Sequence, residues 1–292
     1  MEYSIGIDIG GSLTKVGLVQ NNSVVFKVQS PTPVKQGEDI FFDNIYRLIQ
    51  EVLNKTNLQI GQIKNIGVAI AGMVLGTKGV LLSAANLGLK NIDIVSRIRR
   101  VFPVPVRIGN DVSCFALAQS QTSNIQNLAF IAIGTGINVG IINNGRLFTG
   151  ADGASIEYGH TSLLASSRKC PCGMTACIEQ FISGRSIIAA CRQANLKIRN
   201  PKDVFKSSDE RAKKIVNDFV ERLGIVLVNI TNTYRPAVIF IGGGLAECVT
   251  PFINRLNDNL RGKNYGYKNA PPVRVEISKI SKDGAIIGAT LC

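Results

Sequence analysis

His160, Cys170, Cys172 and Cys177 lie in the run GHTSLLASSRKCPCGMTAC with the spacing His-x9-Cys-x-Cys-x4-Cys. His160 is the only histidine in 292 residues, and the run holds three of the seven cysteines. Three thiolates and one imidazole make a closed tetrahedral Zn²⁺ site of the structural type, with no open position for a reacting water. A set of free thiols beside a packed histidine is the plainer alternative. The second pair spacing and recognition helix of a C₂H₂ nucleic-acid finger are missing. A disulfide framework is not expected in a chain of ordinary size with an odd cysteine count. Cys114, Cys191, Cys248 and Cys292 stand apart in apolar or terminal settings and read as isolated thiols.

Glycine-rich turns supply the second kind of chemistry. DIGGSLTK puts Asp8 at the end of a strand-like run, Gly10-Gly11-Ser12 in the turn, and Thr14 and Lys15 just beyond. Adjacent glycines let backbone amides approach and aim at a phosphate. A carboxylate beside a phosphate repels it, so Asp8 makes better sense holding Mg²⁺, directly or through water. A hairpin with an exposed Asp is the simpler reading of the same residues. IGTGIN carries Gly134, Thr135 and Gly136, and IFIGGGL carries Gly242, Gly243 and Gly244. None of these is a Walker loop or a Rossmann fingerprint. Taken together they suit a nucleotide whose phosphates are gripped from two lobes.

The elements that must carry these turns follow from the hydrophobic pattern. SIGIDIG, TKVGLVQ and VVFKVQ alternate as three adjacent strands with turns at GGS and NNS. DIFFDNIYRLIQEVLNKT places Ile40, Phe41, Ile45, Leu48, Ile49, Val52 and Leu53 on one helical face. IKNIGVAIAG is a buried strand, NIDIVSRIRRVF a short helix, and VPVRIGNDVSCFALAQS a strand, turn and helix with Asn110 and Asp111 at the junction. The pattern then repeats: LAFIAIGTGINVGIINNGRLF is again strand, glycine turn, strand, turn, strand. A long helix over about 208–234, the strand AVIFIGGGL, the helix CVTPFINRLNDNLR and a closing helix in DGAIIGATLC complete the chain. Two strand-hairpin-helix units predict an α/β protein of two lobes facing a cleft. The expected division is 1–112 for a smaller first lobe, to which a helix at about 282–292 returns, and 113–281 for a larger second lobe.

The bulk numbers agree with a soluble globular protein: 45% hydrophobic and 18% charged residues. IGVAIAGMVLG, the longest strongly apolar run, is about half of the roughly 20 residues that cross a bilayer. The start MEYSIGIDIGG reads directly as strand and turn, not as a leader, so a cytoplasmic protein without membrane partners is expected. The net charge of +13 raises a polyanion partner. Lys and Arg are scattered, however, and no basic run is interleaved with aromatics, so a solvated basic surface is the expectation and nucleic acid is not.

DIGGSLTK, AIAG, AANL, GND, IGTG, EYGH, CPCGMTACIE and IGGG resemble, in order, the motifs of the ROK family of sugar kinases and sugar-responsive repressors. The resemblance runs from residue 5 to the C-terminus. It implies a two-lobed actin-like (ribonuclease-H-like) ATPase fold, ATP with Mg²⁺, and phosphorylation of a hexose or N-acetylhexosamine, usually at the 6-hydroxyl. It makes Asp111 of GND the general base, although an N-cap of the following helix is the structural alternative there. It assigns the sugar to Gly72, Asn86, Asn110, Glu157, His160 and Glu179. His160 would then serve metal and sugar through different ring nitrogens. Two residues depart from the family pattern: Ser113 where Asn is common, and Ile156 where Gly is common. The second could reshape one wall of the sugar site, so the choice among glucose, N-acetylmannosamine, N-acetylglucosamine, allose and fructose stays open. Relatives are usually homodimers.

Two other classes compete. Family repressors carry a winged helix-turn-helix ahead of the kinase-like part, and DIGGS at residue 8 leaves no room for one. A silent scaffold is at odds with the retention of Asp8, Asp111 and the three glycine turns.

Overall fold

The structure is a computed structural model and describes residues 2–263 and 271–292. The chain divides into two compact units: Met1–Gln126 with Gly145–Ile156 and Ile280–Cys292, and Asn127–Asn144 with Glu157–Lys279. The first unit thus runs past the expected boundary at 112. Helix α3 (Asp111–Ser123) packs on the returning helix α9 (Gly284–Ala289), and that contact keeps α3 with the first unit.

Unit 1 is built on a five-stranded sheet in the order β3-β2-β1-β4-β8, where β1 is Tyr3–Ile9, β2 Leu13–Gln20, β3 Ser23–Pro31, β4 Ile63–Ile70 and β8 Val106–Asn110. The hairpin strands are antiparallel, and β1, β4 and β8 run parallel. Successive side chains of a strand point to opposite faces. Ile5, Ile7 and Ile9 accordingly join Phe41, Phe42 and Ile45 of α1 (Glu38–Thr56) in one core. Ile40 is 49% exposed, and Phe42 takes the place expected for it. Phe42 lies two helical turns before Ile49, so it shares that residue's face.

The opposite face carries a trough of glycines. Gly6 is the register partner of both Gly17 and Gly67. A Cβ at Gly6 would overlap the Ile286 carbonyl, and one at Gly67 the Ala289 carbonyl. Helix α9 therefore lies with its backbone directly on the sheet. On its far side a Cβ at Gly288 would overlap the Cys114 carbonyl of α3. Cys114 and Cys292, expected as isolated thiols, come within 3.5 Å at their sulfurs in this packing. A second small sheet, β5-β6-β7 (Met73–Leu75, Val80–Ala84, Leu89–Asp93), fills a stretch in which the sequence suggested no strands. Helix α2 (Ile94–Val101) and the two-residue strand β11 (Arg146–Leu147) complete the unit.

Unit 2 has the sheet order β10-β9-β12-β13, with β9 Leu128–Ile133, β10 Ile137–Asn143, β12 Val238–Gly242 and β13 Arg274–Ile277. Strand β12 runs parallel to β9 and β13, and β10 is antiparallel to β9. The long helix α6 (Glu210–Tyr234) buries Val216, Val220, Leu223, Leu227 and Ile230, a three-to-four spacing that makes one apolar stripe. Helices α4 (Gly184–Gln193), α5 (Pro201–Val204) and α8 (Ile253–Lys263) pack on it, and α7 (Ala246–Val249) lies against β13. Among the described residues no helix is long and apolar enough to cross a membrane.

Candidate active site

In unit 1 the candidate residues gather at the ends of β1, β4 and β8. Asn110 ends β8 and caps α3: its Oδ1 accepts from the amides of Val112 at 2.9 Å and Ser113 at 3.3 Å. Its Nδ2 donates to the Gly72 carbonyl at 3.1 Å. The cap considered for Asp111 thus belongs to Asn110, and the amide expected on the sugar is largely committed to the fold. Asp111 is the first helical residue and partly buried, and its Oδ1 accepts from Val112 N–H at 2.9 Å. Burial pushes its carboxyl up to about 6; the Val112 amide opposes that rise, and the Asp8 carboxylate adds to it. A carboxyl of this kind is ionised at neutral pH, yet basic enough to take a proton from a hydroxyl in a transition state.

Asp8 and Lys15 face each other as register partners of β1 and β2, with Lys15 Nζ 2.8 Å from Asp8 Oδ2. The turn between them, Gly10-Gly11-Ser12, is closed by Gly10 N–H donating to the Leu13 carbonyl at 3.0 Å. Thr14, expected among the cofactor contacts, is fully buried with its hydroxyl 3.0 Å from that of Thr32. Thr32 in turn donates to the Gly10 carbonyl at 2.8 Å, so Thr14 braces the turn from behind. The reason lies in the alternation of β2, which turns Thr14 inward when Lys15 points to Asp8. Asn86 lies beside the turn, its Cβ 3.9 Å from where a Cβ of Gly11 would sit. Gly72 sits against β6: a Cβ there would come 2.5 Å from the Ser83 carbonyl.

Unit 2 holds the rest. Two short 3₁₀ turns, Tyr158–His160 and Ile178–Gln180, pack against each other and carry His160 and Glu179, and Glu157 immediately precedes the first. Asn138 of β10 donates to Glu157 Oε2 at 3.3 Å. This partner was missed from the sequence, although a polar side chain inside an apolar strand was the available signal. Glu179 fills the space above Gly136, where a Cβ would strike its Oε2, and lies 4.0 Å from Arg185. The glycine of Gly-Thr-Gly thus makes room for a carboxylate from the neighbouring turn.

The four metal-ligand candidates converge, with ligand atoms all within 4.8 Å of one another. His160 Nδ1 is 3.7 Å from Cys170 Sγ, and Cys172 Sγ is 3.7 Å from Cys177 Sγ. Tetrahedral Zn–S bonds of about 2.3 Å put neighbouring sulfurs about 3.8 Å apart, so the donor set fits such an ion. Nδ1 is the ring nitrogen turned toward the sulfurs, which leaves Nε2 outside the cluster. Gln180 Nε2 donates to Cys170 Sγ at 3.5 Å and Cys177 Sγ to the His160 carbonyl at 3.4 Å.

A cavity of about 590 Å³ opens beside Gly134, Thr135 and Gly244, a size suited to a nucleotide-sized ligand. Ile188, Ala189, Pro201 and Leu245 give it apolar walls, and Arg185, Arg192 and Lys202 give it positive charge. The Gly-Thr-Gly turn is fixed to the start of α4, since Gly184 N–H donates to the Gly134 carbonyl at 2.8 Å. Gly243 adopts φ +87°, a conformation that favours glycine. Gly242 instead packs on Phe130, whose ring a Cβ would meet. The α4 and α5 contributors to this cavity escaped the sequence reading. A Ser183 cap followed by an apolar periodic run was the signal for α4.

Known proteins resemble this chain over nearly its whole length. The sequence model of the ROK family matches residues 4–292. A glucokinase of Halalkalibacterium halodurans is 24% identical over 98% of this chain and 93% of its own. A xylose repressor of Caldicellulosiruptor bescii is 22% identical over 97% of this chain and 76% of its own. Among solved structures, the ROK hexokinase of Thermus thermophilus aligns with a TM-score of 0.84 and 23% identity, covering 99% of this chain and 97% of that one. The chain belongs to the ROK family and has its actin-like ATPase fold.

Proposed function

We propose that this ROK protein transfers the γ-phosphoryl group of ATP to a hexose hydroxyl, with Asp111 as general base. The enzyme is an ATP-dependent sugar kinase; the relatives named glucokinase and hexokinase support the sugar-kinase reading. The observation that carries the reading is the division of labour at the start of α3. Asn110 holds the helix, and Asp111 keeps a carboxylate of raised basicity next to the Asp8–Lys15 pair. As the hydroxyl oxygen bonds to the γ-phosphorus, Asp111 takes its proton and the bond to the β-γ bridging oxygen breaks, releasing ADP. Little covalent work is asked of the protein beyond that, so position and charge dominate the rate.

Asp8 is the residue suited to Mg²⁺, and the ion would draw off negative charge from the phosphates when bound. The Gly-Thr-Gly and Gly-Gly-Gly turns with the cavity of unit 2 are assigned to the nucleotide. Glu157, His160 and Glu179 are assigned to sugar hydroxyls, with Asn86 and the Gly72 backbone contributing from unit 1. Zinc on His160 Nδ1 and the three thiolates would fix the 3₁₀ turn that ends in His160. Glucose at its 6-hydroxyl is the sugar we favour, ahead of N-acetylmannosamine and N-acetylglucosamine. A coupled ADP-release assay against about a dozen hexoses and N-acetylhexosamines tests the activity, beside a DNA gel shift with and without each sugar. DNA binding without sugar-dependent turnover would overturn the kinase in favour of a regulator.

A further inference from the structure

The sulfurs of Cys114 and Cys292 share one small space over β8. A Cβ at Gly109 would come 2.8 Å from Cys292 Sγ and 3.1 Å from Cys114 Sγ, so both lie above a strand position that has no side chain. They are 3.5 Å apart, although 178 positions separate them in the sequence. The backbones that carry them are close as well. Helix α3 runs so near α9 that a Cβ at Gly288 would overlap the Cys114 carbonyl. Cys292, three residues past α9, is held there: its carbonyl accepts from Arg107 Nη1, and its N–H donates to the Ala289 carbonyl at 3.5 Å. Ala69, Ala285 and Ala289 pack around the fully buried Cys114, whereas Cys292 is partly buried.

The two thiols differ in chemistry. Cys114 S–H donates to the Cys292 sulfur, and that bond holds the Cys292 thiol below its ordinary range; burial opposes it and the Arg107 cation assists. The same bond, and then burial, pushes the Cys114 thiol well up. The thiolate is the nucleophile, so the more reachable sulfur is also the more reactive one.

We propose that Cys114 and Cys292 form an oxidative modification site, where a hydroperoxide closes a disulfide that staples the segment after α9 to α3. The Cys292 thiolate attacks one peroxide oxygen, the O–O bond breaks, and Cys292 becomes a sulfenic acid as hydroxide leaves. That hydroxide takes up the proton Cys292 had lost. The Cys114 sulfur then attacks the Cys292 sulfur; the S–S bond forms, the S–O bond breaks, and the hydroxyl leaves as water with the Cys114 proton. One hydrogen peroxide and two thiols thus give one disulfide and two waters. The sulfurs close from 3.5 Å to a bond of about 2.05 Å. A link across so long a loop, which encloses all of unit 2, stabilises chiefly by restricting the unfolded chain. The inference is independent of what unit 2 binds.

The test exposes the full chain, with zinc added, to a few equivalents of hydrogen peroxide. Iodoacetamide then blocks the remaining thiols, and the protein is digested without reduction for mass spectrometry. The expected product is a linked pair of peptides holding Cys114 and Cys292, separated by dithiothreitol. The oxidised protein is expected to melt about 5 °C or more above the reduced one. Cys292→Ser, treated alike, is expected to show neither the linked peptides nor the rise, which separates the staple from oxidation of the metal-ligand thiols. Recovery of Cys292 as an alkylated thiol or a sulfinic acid, with Cys114 unlinked, overturns the proposal. So does a linked protein that melts no higher than the reduced one, or an equal rise in Cys292→Ser.

Discussion

Lys15 and Asp8 meet across the first hairpin, ammonium to carboxylate at 2.8 Å, and Asp8 is one of the charges that raise the Asp111 carboxyl. Lys15 is therefore placed to act on the proposed base at one remove, by offsetting the charge that Asp8 projects toward Asp111. Both partners are largely shielded, with side-chain exposures of 24% and 14%, so solvent screens the pair less than it would a surface ion pair. Replacing Lys15 by Met leaves Asp8 uncompensated and should raise the Asp111 pKa further. The acid limb of kcat/KM, expected near pH 6 in the parent, should move to higher pH. Lys15→Arg should restore it. A pH-rate profile that keeps its midpoint in Lys15→Met would detach Lys15 from the base.

Asp111→Asn should lower kcat by about a thousandfold, within the span general-base catalysis covers, while sugar binding changes little. The same substitution should stabilise the protein at neutral pH. The folded carboxyl is raised from 3.8 to about 6, so the folded state holds the proton more tightly than the unfolded chain. Stability then falls as pH rises through that window, by on the order of 2–3 kcal/mol. Thermal melts should show the Asn variant above the parent at pH 7.5 and level with it near pH 4. A variant that melts lower at pH 7.5 would show that the carboxylate supports the fold.

Asn110→Ala should cost about 1 kcal/mol from the lost cap and more from the freed Gly72 carbonyl. It should also slow turnover, because the Val112 amide is then left to Asp111 alone and draws that carboxylate into the helix start. Asn110→Asp keeps the cap but loses the donor to Gly72. Denaturant titration together with kcat in the two variants separates the two jobs; equal kcat in both and in the parent would contradict the second.

With zinc held as proposed, Cys172→Ser should release it and raise the sugar KM about tenfold or more, with the ATP KM within about threefold. Metal analysis of the purified protein alongside the two KM values provides the check. Stoichiometric zinc with full activity in this variant would remove the cluster from the support of His160.

Gly67→Ala should destabilise unit 1 by about 3 kcal/mol, because a methyl group there overlaps the backbone of α9 and neither the strand nor the helix can yield cheaply. Limited proteolysis should then find the 280–292 segment first.

Much of the candidate site could be proposed from the sequence because its parts are local. Asp8, the glycine turns, Asp111 and the four candidate metal ligands each stand in short motifs whose chemistry depends on neighbours a few residues away. The strands and helices with clear period, β1–β4, α1 and α6, followed from their apolar pattern. What escaped depends on contacts distant in sequence. The β5-β6-β7 sheet has no strong alternation of its own and is held by Ser83 against Gly72 and Leu75 against Ala154. Thr14 looked like a ligand contact until Thr32 supplied its partner. The cap at α3 was a choice between adjacent residues that only backbone geometry could make. Ile40 and Phe42 exchanged places because one end of a helical stripe is decided by what it packs on.

The glycine trough also bears on how the chain is made. Strands β1 and β4 leave the ribosome well before the helix that covers their bare face, which comes more than two hundred residues later in the sequence. Between them all of unit 2 must be synthesised. During that interval Gly6, Gly17 and Gly67 offer an uncovered flat patch, the kind of surface that invites wrong pairing or capture by chaperones. Synthesis that pauses after unit 2 would leave the first lobe open. Arrival of α9 on the glycine trough is then the event that commits unit 1, with Asp8 and Asp111, to its final form.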